Sequence, residues 1–104
     1  MHTVELHNEK LKPVFLRYGT GNTAIRLLDS NNNPYTTCTI NLPDMDLETN
    51  QVAVKNYSEN EGMLDALLKA EIVQEPLRFV RSGSTVIPIC NLTKPASVLA
   101  GEVS

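Results

Sequence analysis

Apolar and polar positions alternate with a period of two over most of the first 57 residues, and the period changes to that of a helix near residue 60. Val4–His7 alternates weakly. Lys12–Gly19 is a stronger strand, with Val14 and Leu16 on one face and Phe15 on the other. Gly19–Asn22 supplies a turn, and Thr23–Asp29 reads as the returning strand of a hairpin. Asp29–Pro34, "DSNNNP", is the clearest loop. Tyr35–Leu42 is rich in residues that suit a pleated surface. Its alternation assigns Thr36, Cys38, Ile40 and Leu42 to the core face and Tyr35, Thr37, Thr39 and Asn41 to the other. Pro43–Asn50 connects it to a short strand, Gln51–Tyr57, with Val52 and Val54 inward.

The passage "NYSENEGMLDALLKAEIV", Asn56–Val73, predicts a helix over about 59–70. Ser58 and Glu61 have capping-box spacing, and Glu59 and Glu61 suit the positive end of the helix dipole. Met63, Leu64, Leu67, Leu68 and Ile72 form one apolar stripe. On this reading Ser58→Ala costs about 1 kcal/mol. Pro76 ends the segment. Leu77–Leu92 reads as two strands about "RSGS", and Pro88 predicts that the second is an edge or bulges there. The remainder, "TKPASVLAGEVS", shows no period.

Strands, one helix and strands again give an α+β domain: a mainly antiparallel sheet of about six to seven strands with one main helix packed on it. Whether the sheet curls strongly or opens from a small barrel is left open by the pattern. Residues 1–92 form the single domain, and 93–104 a loosely ordered tail.

Composition narrows the function. The chain has 104 residues with 41% hydrophobic and 20% charged, so it can bury one modest core. No apolar run approaches the roughly 20 residues of a membrane span. Net charge is -3, which does not draw a phosphate backbone by bulk charge. The start, Met1–Glu5, lacks the features of a signal peptide, so Cys38 and Cys90 are expected as buried reduced thiols in a cytoplasmic protein.

Candidate chemistry is sparse. His2 and His7, five residues apart, fall on opposite faces of a strand, which argues against a joint metal site, and no CxxC or HExxH spacing occurs. Asp44, Asp46 and Glu48 read as a solvated acidic loop. Glu59, Glu61 and Asp65 cluster at the helix start. Capping accounts for Glu61 and leaves Glu59, Asn60 and Asp65 as spare polar residues. Cys38, Cys90, Ser58, Ser82 and Ser84 lack a base placed by any motif. The glycine turns are not followed by helices, as a phosphate cradle requires. Arg78 and Arg81 beside Ser82-Gly83-Ser84 are the one hint of anion binding. Tyr35 and Tyr57 could stack on bases from an exposed sheet face, and Tyr18 belongs to the same aromatic set. No metal or cofactor is expected.

"NTAIRLLD", "PYTTCTINLP", "VAVKNYSENEGMLDALLKAEIV" and "VRSGSTVIPICNL" together resemble a family of short proteins of unknown function carried by bacterial phages, plasmids and integrative elements. The likeness spans roughly Asn22–Leu92, and "NYSENEG" is its most recognisable part. This chain departs from it at Glu71, where the family pattern has glycine. The resemblance brings no functional residues. It implies a small cytoplasmic accessory protein of a mobile element that binds and blocks a host component. The leading expectation is a non-enzymatic interaction protein, an inhibitor of a host defence system acting by protein binding, with a homodimer compatible. The alternative is a nucleotide or nucleic-acid binding domain using Tyr35, Tyr57, Arg78 and Arg81.

Overall fold

The computed structural model describes residues 3–42, 45, 47, 48 and 50–101. Among these residues, seven antiparallel strands form two sheets. Strands β1 (Val4–Leu6), β2 (Glu9–Arg17), β3 (Thr23–Leu28) and β4 (Pro34–Thr37) follow one another in order across the first. In the second, β7 (Thr85–Asn91) lies between β5 (Gln51–Ala53) and β6 (Arg78–Ser82). The chain beyond β4 joins the two sheets: Thr39 bridges Val54, Ile40 N–H donates to Ala53 O, and Lys55 N–H donates to Cys38 O. The result is an α+β fold, as the pattern predicts, and the described strands do not close into a barrel.

β1 and β2 meet in a two-residue turn, with Leu6 opposite Glu9. His7 and Asn8 both hold positive φ, 52° and 66°, as a type I′ hairpin requires. The sequence pattern extends the first strand through His7 and starts the second at Lys12, because neither residue announces the turn as glycine would. Inward from this hairpin, Val4, Leu6, Leu11 and Phe15 join Ile25, Leu27, Val52 and Val54 in the main core.

Tyr35–Leu42 does not keep a single core face. Cys38 enters the main core, while Ile40 and Leu42 pack in a second cluster with Ala53, Ile87 and Ile89. Thr39 between them is buried. Its hydroxyl accepts the Ile25 N–H and lies 2.9 Å from the Tyr18 hydroxyl, which also donates to Thr39 O.

The helix is shorter than the pattern predicts and starts differently. Ser58–Asn60 is a 3₁₀ turn, and α1 runs Met63–Lys69. Ser58 sits at φ 56° and makes no side-chain cap; Gly62 at φ 90° precedes the helix instead. The cap comes from Asn56, whose Oδ1 accepts the Leu64 N–H at 2.8 Å. The capping box over Ser58 and Glu61 is therefore not formed. The stripe is as expected: Met63 and Leu67 are buried, with Leu64 and Leu68 partly so.

α1 ends in a Schellman arrangement. Ile72 N–H donates to Leu67 O and Glu71 N–H to Leu68 O, while Glu71 holds φ 60°. Glutamate thus occupies the left-handed position where glycine is preferred.

Two further expectations are corrected. β7 is a central strand despite Pro88. Val54 N–H donates to Pro88 O, so the backbone of Pro88 faces β5, and β5 ends one residue earlier at Ala53. The missing N–H thus falls where the ladder stops. Residues 94–101 are also ordered, as helix α2 (Lys94–Gly101), with Ala96 and Ala100 in the main core. Thr93 opens it. Its hydroxyl donates to Glu71 O at 2.7 Å and lies 3.4 Å from the Ala96 N–H. Arg17 closes it by donating to Ala100 O. A threonine cap, a first-turn proline and Ala96, Leu99 and Ala100 at helical spacing are the signals in the sequence that mark this helix.

Candidate functional site

The acidic passage before α1 resolves into structural roles. Asn60 is fully buried. Its Oδ1 accepts from the Thr36 hydroxyl and its Nδ2 donates to Thr37 O, both at 2.6 Å, so it fastens the 3₁₀ turn to β4. Glu59 pairs with Lys55 at 2.6 Å, and Asp65 with Lys69 at 3.1 Å. The Lys55 hydrogen bond holds the Glu59 carboxyl below its ordinary range, and the same bond raises Lys55. Lys55 also stands 5.6 Å from the centre of the Tyr57 ring. Of the three spare polar residues, Asn60 is committed to the fold and the other two have lysine partners.

His7 lies in the first hairpin turn, and its Nε2 donates to Glu61 O at 2.9 Å. With Glu5, Glu61 and Asp65 it lines an open cleft between α1 and the turn. Among the described residues no three or more of His, Cys, Asp and Glu gather at metal-binding distance. His2, Asp44 and Asp46 lie outside the described residues. Cys38 and Cys90 are free and buried. Burial pushes both thiols up, Cys90 to about 11 with Glu75 adding to the effect, so neither is a poised nucleophile.

Tyr35 and the two arginines do not converge. Tyr35 is exposed on β4, in the first sheet, while Arg78 and Arg81 belong to β6 in the second. Three residues apart on a strand, the arginines project from opposite faces and cannot clamp one anion together.

Neither a family model, a curated protein nor a solved structure matches this chain. The site therefore stands on its own geometry.

What that geometry does assemble is an apolar surface on the β6–β7 hairpin. Among the described residues, three of the five exposed large hydrophobic residues lie on it or immediately before it: Leu77 is 54% exposed, Phe79 61% and Val86 51%. Phe79 lies opposite Pro88 and Arg81 opposite Val86, so these four side chains share a face. On the other face Val80, Ile87 and Ile89 pack in the second core with Leu42 and Leu47. One face of the hairpin is interior, while the other carries Phe79 and Val86 into solvent beside a buried Pro88. Apolar and basic residues interleaved in "LRFVR" are the sequence signal for it. Only the register, set by pairs 79–88 and 81–86, says which of them are exposed together.

Proposed function

We propose that this protein works by binding another protein through the exposed face of the β6–β7 hairpin, without chemistry of its own. The observation that carries the reading is the concentration of Leu77, Phe79 and Val86, each more than half exposed, on one hairpin whose opposite face is core. Exposed apolar side chains that cluster, as opposed to scattering singly, mark contact surfaces. Arg81 beside them adds the residue type most enriched at binding hot spots together with aromatics. The sequence resemblance to proteins of bacterial mobile elements supports a host protein as the target and inhibition of a defence system as the purpose. Nucleotide binding through Arg78 and Arg81 has no such support, since the two side chains diverge.

Immobilised protein incubated with bacterial host lysate is expected to retain a partner at near-stoichiometric ratio. A Phe79→Ser/Val86→Ser variant with an unchanged melting temperature is expected to lose it. Recovery of no partner, or equal recovery by the variant, refutes the proposal.

A further inference from the structure

β6 carries a second feature besides its exposed face. The loop between β6 and β7 is the two residues Gly83 and Ser84, with Ser82 opposite Thr85 and positive φ at Gly83. In such a hairpin the pair flanking the loop exchanges backbone hydrogen bonds, and alternate pairs do so thereafter. Pairs 82–85, 80–87 and 78–89 are then bonded, and 81–86 and 79–88 are not. Pro88 provides an independent check: it has no N–H, and its carbonyl is taken by Val54 N–H on the β5 side. The N–H and C=O groups of Phe79 and Arg81 accordingly point away from β7. Among the described residues no strand pairs with that edge of β6.

An edge with unpaired backbone groups selects an extended segment as its occupant. Charge selects its composition. Residues 77–92 contain two arginines and no acid, in a chain of net charge -3. Among the described residues neither Arg78 nor Arg81 has an ion-pair partner. A second copy paired antiparallel about Val80 would set Phe79 opposite Arg81 of the other chain. It would also bring the two Arg81 side chains onto one face as diagonal neighbours, about 7–8 Å apart, a like-charge contact. We propose that β6 adds an extended segment of a partner protein as an eighth strand, a segment with carboxylates opposite Arg78 and Arg81 and apolar residues opposite Phe79 and Val80. This rests on the hairpin being the contact surface and names what it contacts.

The test uses a blocked synthetic peptide with the core Thr-Glu-Val-Val-Glu, which matches residues 82 to 78 in antiparallel register, titrated into the full chain. Amide exchange is followed by NMR. The peptide is expected to slow exchange at Phe79 and Arg81 at least tenfold while leaving Val80 unchanged. A version with lysine for both glutamates is expected to bind at least tenfold more weakly. An Arg78→Glu/Arg81→Glu variant is expected to reverse that preference. Absence of peptide binding overturns the inference. So does binding without protection at Phe79 and Arg81; that outcome leaves the hairpin face as a contact surface by side chains alone. Protection of those amides that grows with protein concentration and no peptide identifies a second copy as the occupant and also overturns it. Loss of partner capture is measured separately, so failure of the strand-addition idea is distinguishable from failure of the contact surface.

Discussion

Glu71 holds a left-handed backbone conformation at the end of α1, with both Schellman hydrogen bonds formed around it. A residue with a Cβ is strained there by about 1–2 kcal/mol. Glycine removes that strain but adds chain entropy to the unfolded state. Glu71→Gly is therefore expected to stabilise the protein by about 1 kcal/mol, read as a higher urea midpoint at unchanged slope; a lower midpoint contradicts the assignment. Asn60 gives the opposite case. Its side chain is buried with both polar atoms bonded, so Asn60→Ala leaves the Thr36 hydroxyl and the Thr37 carbonyl without that partner. The expected loss is about 2–3 kcal/mol. Ser58→Ala, in contrast, removes no cap and should fall within about 0.5 kcal/mol of wild type. A larger loss for Ser58 than for Asn60 would restore the capping box. Sequence spacing pointed to Ser58 and Glu61 because a box is a local signal. The cap from Asn56 and the tie from Asn60 to β4 are non-local, and no spacing rule encodes them.

Among the elements, the strands and the stripe of α1 were legible because each buries a face whose period matches its backbone. Legibility failed where a residue acts against its type. His7 turns a hairpin without glycine, and Pro88 sits in a central strand because the ladder beside it ends. The α2 segment was read as a tail since its buried residues are alanines, which give little apolar contrast. Ala96 decides whether that helix is part of the fold. It is fully buried in the main core, so Ala96→Leu is expected to lower stability by about 1–3 kcal/mol through overpacking. A thermal melt unchanged by this substitution would mean that residues 94–101 do not pack as described.

At the scale of the whole molecule, the two buried thiols couple the core to pH. Both titrate above their ordinary value of 9.0, Cys90 at about 11. Below pH 9 both states hold the proton and stability is unaffected. Above it the unfolded chain releases protons that the folded chain keeps, so stability falls as pH rises toward 11. The loss approaches about 1.4 kcal/mol per pH unit for each thiol. Urea titrations at pH 8 and 10.5 should show a smaller drop for Cys38→Ala than for wild type, and an equal drop contradicts thiol burial as the cause. Of the candidate contact surface, only Arg78 and Arg81 were singled out from the sequence. Taking them as one anion site failed because residues three apart on a strand face opposite ways, and the exposure of Phe79 together with Val86 depends on pairing across the Gly83–Ser84 turn. The central claim is that binding runs through this hairpin and not through apolar exposure in general. Val98, 58% exposed on α2, provides the control. The decisive measurement is quantitative partner capture from host lysate by wild type, Phe79→Ser and Val98→Ser at matched folded concentration. The account predicts at least a tenfold loss for Phe79→Ser and less than a twofold change for Val98→Ser; capture retained by Phe79→Ser, or lost equally by both, contradicts it.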